Sequence, residues 1–118
     1  MTHPVIVRRR RERAEQIARA AEWAERLAAR LPVRAVVVVV GSIARGDFNK
    51  WSDLDVLVVA DALPDDPLER LALLDADAPT GLQPMGWTPE ELARRRARRD
   101  PIAVEADTLG VVVLGELP

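Results

Sequence analysis

The sequence contains no cysteine and no tyrosine, and it has a single histidine among 118 residues. Without cysteine, the chain forms no disulfide, offers no thiolate nucleophile and builds no cysteine-ligated zinc site. The one histidine, His3, falls within residues 1–9, which we expect to be flexible. A catalytic triad of serine, histidine and aspartate is therefore not expected, because its histidine, the general base, would lie in a flexible segment.

An excess of one charge and a long apolar run are also missing. The 17 basic and 19 acidic residues give a formal net charge of −2, whereas nucleic-acid binders usually carry a basic excess. No apolar run approaches the roughly 20 residues that cross a bilayer, and the N-terminal stretch is charged rather than signal-like. We therefore expect no nucleic acid or membrane partner, and a soluble cytoplasmic protein.

What is present indicates one folded domain over residues 1–118. Apolar residues make up 48% of the chain and charged residues 31%, which is typical of a globular protein. Hydrophobic periodicity and proline or glycine breaks predict the order α-β-α-β-α-β-α-α-β, an α/β fold. The predicted elements are helix 8–31, strand 33–40, a helical turn at 43–46, strand 54–60, a helix from 66, strand 82–87, helices from 88 and 100, and strand 111–114.

Two aspartates stand where a buried strand is predicted to begin. Asp53 and Asp55 are two residues apart, so in a strand both side chains point to the same face. Two carboxylates held this close repel each other unless a positive charge lies between them. Mg²⁺ or Mn²⁺ suits oxygen ligands of this kind, so the pair is a candidate metal site.

A glycine-serine turn precedes the aspartates and follows the first predicted strand. Gly41 allows close approach of a ligand to the backbone, and Ser42 begins the helical turn, where free N–H groups attract anions. Each motif taken alone is more often a structural turn or cap. Together they predict a phosphate-binding turn beside a metal site, as a metal-bound nucleoside triphosphate requires.

The stretch GSIARGDFNKWSDLDVLVV, residues 41–59, carries Gly-Ser, ten residues, then Asp-Leu-Asp. It resembles the signature of the nucleotidyltransferase superfamily with a DNA polymerase β-like fold, and the minimal nucleotidyltransferases in particular. The resemblance covers most of residues 10–115. It implies an α+β fold with a small mixed sheet flanked by helices.

The resemblance also implies roles for individual residues. Asp53 and Asp55 would hold the Mg²⁺ or Mn²⁺ ions that bridge the triphosphate of an NTP, with ATP the first candidate. Gly41 and Ser42 would contact its β- and γ-phosphates. Arg45 would either neutralise phosphate charge or pair with Asp47 to close the loop. Apart from the resemblance, the charge run Arg8–Arg11 could be a phosphate-binding arm, although a solvated helix start is the simpler interpretation.

One position departs from the family pattern. The family usually places a third carboxylate on the next strand, where this chain has Gln83. A glutamine can ligate a metal through its amide oxygen, but it brings no charge and cannot act as a base. Glu105 or Asp107 could substitute from the last helix. Nucleotide binding is therefore better supported by the sequence than efficient catalysis.

The acceptor of the nucleotide stays open. Larger members of the superfamily carry an added domain for their acceptor, for which 118 residues leave no room. Minimal nucleotidyltransferases often act beside a helical HEPN-domain partner, as the antitoxin of a toxin–antitoxin pair, and some transfer AMP to a tyrosine of that partner. Three hypotheses remain: transfer to a protein partner, a non-catalytic module that neutralises such a partner by contact, and a standalone transferase for a small molecule. Association into an oligomer is also possible.

Overall fold

The computed structural model describes residues 3–118 and contains the nine elements in the predicted order. Each element begins or ends near a proline, a glycine or a capping side chain, which is why the order could be predicted. The elements are α1 (Pro4–Arg30), β1 (Ala35–Val40), α2 (Gly41–Arg45), β2 (Leu54–Ala60), α3 (Pro67–Asp75), β3 (Leu82–Trp87), α4 (Pro89–Ala97), α5 (Pro101–Thr108) and β4 (Val111–Leu114).

Helix α1 starts earlier than the sequence analysis predicted. The Nδ1 atom of His3 accepts a hydrogen bond from the backbone N–H of Val5 at 3.1 Å, and Pro4 occupies the first turn. Proline is tolerated there because the first N–H groups of a helix have no partner within it. The flexible start predicted for residues 1–9 is therefore not found over residues 4–9, and residues 1 and 2 lie outside the described residues.

The four strands form one mixed sheet in the order β3-β2-β1-β4. Strand β1 runs antiparallel to both β2 and β4, whereas β2 and β3 are parallel. Pro84 lies in β3, an edge strand, where its missing N–H costs no ladder hydrogen bond inside the sheet. The predicted mixed sheet with flanking helices is confirmed.

Helices pack on both faces of this sheet. Helix α1 covers one face with Trp23 and Leu27, which are fully buried. Helices α4 and α5 cover the other face, where Val38 of β1 and Leu57 of β2 belong to the same buried cluster as Leu92, Ala103 and Ala106. Each fully buried aliphatic side chain contributes about 1.5–3 kcal/mol. Asp55 lies two residues before Leu57 and so faces the α5 side.

Candidate functional site

The turn between β1 and α2 packs directly against the second aspartate. Val40 and Asp55 are opposite each other in the antiparallel pair of β1 and β2, so the next residue, Gly41, comes beside Asp55. Gly41 has a φ of +74°, and a Cβ atom on it would lie 2.5 Å from Oδ2 of Asp55. Glycine is therefore required here for two reasons, a left-handed backbone and contact with the carboxylate.

The two aspartates sit in different surroundings. Asp53 is exposed immediately before β2, whereas Asp55 is half-buried within the strand. Burial raises the pKa of Asp55 above its ordinary value of 3.8, the negative charges of Asp53 and Glu105 raise it further, and Arg45 opposes them. The excess negative charge is what a bound cation would relieve.

Two arginines of α1 hold α2 and the loop that follows it in place, and the sequence analysis missed this role. Arg13 donates from Nε and Nη2 to the carbonyl oxygens of Ile43 and Ala44, both at 2.9 Å. Arg9 donates from Nη1 to the carbonyl oxygen of Phe48 at 2.8 Å. Positive charge at a helix C-terminus satisfies free carbonyls. Arg9 is thus neither a free phosphate-binding arm nor a purely solvated residue.

Arg45 is held by two carboxylates. Its Nε atom donates to Oδ2 of Asp47 at 3.1 Å, and its Nη1 atom donates to Oε1 of Glu105 at 2.5 Å. The predicted pair with Asp47 is present. The second pair was not predicted, and it fixes the guanidinium between the loop and α5.

Gln83 takes the place beside Asp55 on the other side of the strand. The two residues are partners in the parallel pair of β2 and β3, so their side chains share a face. Gln83 is exposed. The amide group of Gln83 is therefore on the same face of the sheet as the Asp55 carboxylate, at the strand position that the sequence analysis assigned to a third ligand.

The two acidic residues of α5, Glu105 and Asp107, make different contacts. Glu105 reaches the site, where its Oε2 atom accepts a hydrogen bond from the backbone N–H of Gly41 at 3.2 Å. Asp107 instead receives hydrogen bonds from Nε and Nη2 of Arg96, at 3.0 and 2.7 Å. The suggestion that Asp107 completes a metal site is therefore wrong, since its carboxylate is engaged elsewhere.

The oxygen donors present fit a hard dication, although only in part. Asp53, Asp55 and the amide oxygen of Gln83 are ligands of the kind that Mg²⁺ and Mn²⁺ prefer. Across residues 3–118, however, no cluster of three or more acidic, histidine or cysteine side chains is arranged to hold a metal. A metal held here would thus have two carboxylates from the described residues, and its further ligands would come from phosphates and water.

Comparison with known proteins gives the family of the chain. The sequence pattern of the nucleotidyltransferase domain matches residues 20–103, more than half of the chain. The chain belongs to the nucleotidyltransferase domain family. The match includes the glycine-serine turn, both aspartates and Gln83, whereas Arg9, Arg13 and Glu105 lie outside it. No curated protein matches the sequence.

A solved structure shares the fold of this nucleotidyltransferase domain. It is the 1.40 Å crystal structure of a candidate nucleotidyltransferase from Sulfolobus solfataricus, which superposes with a TM-score of 0.66 at 19% sequence identity. The alignment covers 88% of this chain and 84% of the other. At this identity the likeness concerns the fold. Within residues 3–118, no helix is long and apolar enough to span a membrane.

The pKa of Asp55 predicts a pH dependence for the metal-free nucleotidyltransferase domain. A carboxyl whose pKa is higher in the folded than in the unfolded protein stabilises the fold below the unfolded pKa, and this contribution is lost as pH rises through the folded pKa. Asp55→Asn should therefore be more stable than the parent at neutral pH, with a gain that shrinks towards pH 4. Urea unfolding in a chelator between pH 4 and 8 measures it, and a variant less stable than the parent at pH 7 would contradict the cause given.

Proposed function

We propose that this domain binds a metal-bound nucleoside triphosphate and transfers its nucleotide to an acceptor, most simply a protein partner. The observation that carries the proposal is the contact between Gly41 and Asp55. It brings the glycine-serine turn and the paired aspartates into one site, which neither motif would form alone. A cation and a phosphate bound there would be neighbours, as in a metal–triphosphate complex.

Each residue has a defined part in this proposal. Asp53 and Asp55 hold Mg²⁺ or Mn²⁺, with the amide oxygen of Gln83 as a weaker ligand. The metal supplies charge stabilisation at the triphosphate. The N–H of Gly41 and the side chain of Ser42 bind phosphate oxygens, and Arg45 adds a positive charge that Asp47 keeps in place.

The reaction is substitution at the α-phosphorus. An acceptor oxygen forms a bond to that phosphorus, the bond to the bridging oxygen of the β-phosphate breaks, and pyrophosphate leaves. The acceptor proton is released to solvent, because Gln83 cannot take it up. Catalysis therefore depends on positioning and charge, and turnover is expected to be slow.

The shape of the site favours a protein acceptor over a small molecule. Asp53 is exposed, and Trp51 in the preceding loop has 80% of its surface exposed. Small-molecule sites are usually concave. Two open grooves are lined by other residues, one of about 330 Å³ between α3, β3 and α4 and one of about 880 Å³ at the C-terminal end of α1. An open site can accept a side chain presented by a partner, and a HEPN-domain protein is the first partner to test.

A second candidate function rests on Gln83. Without a third carboxylate, the domain could bind nucleotide and neutralise its partner by contact, with no transfer. The same exposed surface serves either function. A transferase for a small molecule is the third candidate, which the exposure of Asp53 and Trp51 does not favour.

Label transfer separates these functions. The domain is incubated with Mg²⁺, each of the four α-labelled nucleoside triphosphates and a candidate HEPN-domain protein. Transfer predicts α-label, and no γ-label, bound covalently to the partner, together with released pyrophosphate. Label on neither protein, despite nucleotide binding and complex formation, would favour the contact-only module. Transfer of γ-label would contradict the proposal.

The glycine-serine turn gives a separate prediction. Ser42→Ala should weaken nucleoside triphosphate binding by roughly 1 kcal/mol, or about fivefold, through loss of one hydrogen bond. Gly41→Val should abolish binding, but it also strains a left-handed backbone and displaces Asp55. Calorimetric titration measures both affinities. Binding by Gly41→Val at parental affinity would show that the turn holds no phosphate.

A further inference from the structure

We propose that Glu105 is a built-in competitor of the nucleotide. Its carboxylate accepts hydrogen bonds from the Gly41 amide and the Arg45 guanidinium, the two groups that would otherwise bind phosphate. The carboxylate must therefore move away when a metal-bound triphosphate binds. This inference rests on the proposed function and deepens it. It concerns a residue outside the segment that matches the nucleotidyltransferase family.

The contacts of Glu105 are those of a bound anion. One carboxylate oxygen accepts from the N–H of Gly41 at 3.2 Å, and the other accepts from Nη1 of Arg45 at 2.5 Å. The side chain of Glu105 is only 17% exposed, against 42% for Arg45. A phosphate bound to the same two groups would use the same kinds of hydrogen bond, from a backbone amide and a guanidinium.

The position of Glu105 argues against its being the missing third metal ligand. It meets Gly41 at the end of β1, whereas Gln83 flanks Asp55 from β3, on the opposite side of β2. Both oxygens of Glu105 are already engaged. Its carboxylate also lies outside any acidic cluster suited to a metal among the described residues.

The electrostatics explain why a metal-bound nucleotide could displace it. Glu105 adds negative charge beside Asp55, whose pKa rises partly for that reason, on top of the larger effect of burial. A triphosphate brings its own cation, which neutralises the aspartates, while Glu105 brings none. Replacing Glu105 by metal-bound phosphate therefore relieves repulsion, whereas replacing it by metal-free phosphate does not.

The surroundings would keep the site in order after the exchange. Arg45 retains its bond to Asp47, so its guanidinium stays near the turn. The α2 segment stays tied to α1 through Arg13. Only the side chain of Glu105 has to rotate, because the adjacent α5 residues Ala103 and Ala106 remain packed in the core.

The test compares Glu105→Gln with the parent. Calorimetric titration with Mg²⁺-tripolyphosphate, and with Mg²⁺ and a non-hydrolysable triphosphate, gives the affinities. Removing the competing charge should tighten both by about tenfold, the size expected for loss of one charge-assisted contact. Asp107→Asn is the matched control, because it removes an acid from the same helix that pairs with Arg96 away from the site, and its affinities should equal the parental values.

A second measurement uses the parent protein alone. During titration with Mg²⁺-tripolyphosphate, NMR signals of the Gly41 amide and the Glu105 side-chain carboxyl carbon should move together and saturate at the same ligand concentration. Tripolyphosphate without metal should cause smaller chemical-shift changes in both signals. A Glu105 signal that stays fixed while the Gly41 amide shifts would overturn the inference even if Glu105→Gln failed to fold.

The outcomes also separate this inference from the proposed function. Glu105→Gln could bind the triphosphate with parental affinity while changes to Asp53 and Asp55 still abolish nucleotide binding. That result would overturn the inference that Glu105 competes with the nucleotide, but it would not contradict the proposed function. Weaker metal-dependent binding by Glu105→Gln would indicate that Glu105 is a metal ligand, and this result would also overturn the inference. If neither parent nor variant binds any triphosphate, both proposals fail.

Discussion

Replacing Asp53 and Asp55 together by asparagine should abolish the stabilisation that Mg²⁺ or Mn²⁺ with a nucleoside triphosphate gives the parent. A ligand that binds only the folded state at 100 times its dissociation constant adds about 2.7 kcal/mol. For a domain of this size, that corresponds to a rise of roughly 10 °C in melting temperature. The double variant should show no rise, because it lacks both carboxylates that would hold the metal beside the phosphates. Transfer activity should fall with it.

The same variant should fold well without ligand. Asparagine has nearly the shape of aspartate, and losing two neighbouring negative charges relieves the repulsion that acts on Asp55. A matched control is Asp61→Asn with Asp65→Asn, which removes two exposed acids beyond the far end of β2. The control should keep the full ligand-induced rise. A rise of parental size in the Asp53 and Asp55 variant would refute the metal site.

Replacing Gln83 by glutamate should raise transferase activity. The side chain is exposed and shares a face with Asp55, so a carboxylate there could complete the metal site and accept the acceptor's proton. General-base catalysis alone contributes about 10²–10⁴-fold in rate. A second metal should also bind, since added negative ligands raise affinity for a hard dication. Steady-state label transfer and Mn²⁺ titration by electron paramagnetic resonance measure the two effects.

Two further variants serve as controls for this gain of activity. Without metal, the melting temperature of Gln83→Glu should fall slightly, because a third carboxylate adds repulsion. Glu105→Ala and Asp107→Ala should leave the number of bound Mn²⁺ ions unchanged, since neither acid is a ligand in this account. A parent that is already fast, unimproved by Gln83→Glu and inactivated by Glu105→Ala, would instead make Glu105 the third carboxylate.

The sequence predicted the elements well because their ends have local causes. Asp66 before Pro67 and Thr88 with Glu91 are capping patterns that act within one turn, and both are formed. The same kind of signal, His3 before Pro4, marks the start of α1. The sequence analysis placed the start of this helix at residue 8, because it expected residues 1–9 to be flexible.

The site could be predicted only where its residues are close along the chain. The distance between Ser42 and Asp53 carries a recognisable pattern, and β2 aligns Asp53 with Asp55. The contacts of Arg13 with α2 and of Glu105 with Gly41 join residues 30 and 64 positions apart. They depend on how α1 and α5 pack on opposite faces of the sheet, which no local pattern specifies.

The structure gives a different reason for the glycine at position 41 from the one that the sequence suggested. The sequence analysis explained this glycine by the approach of a ligand. The positive φ and the closeness of Asp55 already require glycine with no ligand present. This requirement follows from the antiparallel register of β1 and β2, in which Val40 faces Asp55.

The central claim is that Asp53 and Asp55 together hold a metal beside a triphosphate bound at Gly41. The most direct measurement is the anomalous diffraction of crystals grown with Mn²⁺ and a triphosphate that cannot be cleaved between its α- and β-phosphates. The account predicts a manganese peak within about 2.3 Å of an oxygen of each aspartate, with a phosphate in contact with both the metal and the N–H of Gly41. A well-ordered nucleotide bound elsewhere, with no manganese between the two aspartates, would contradict it.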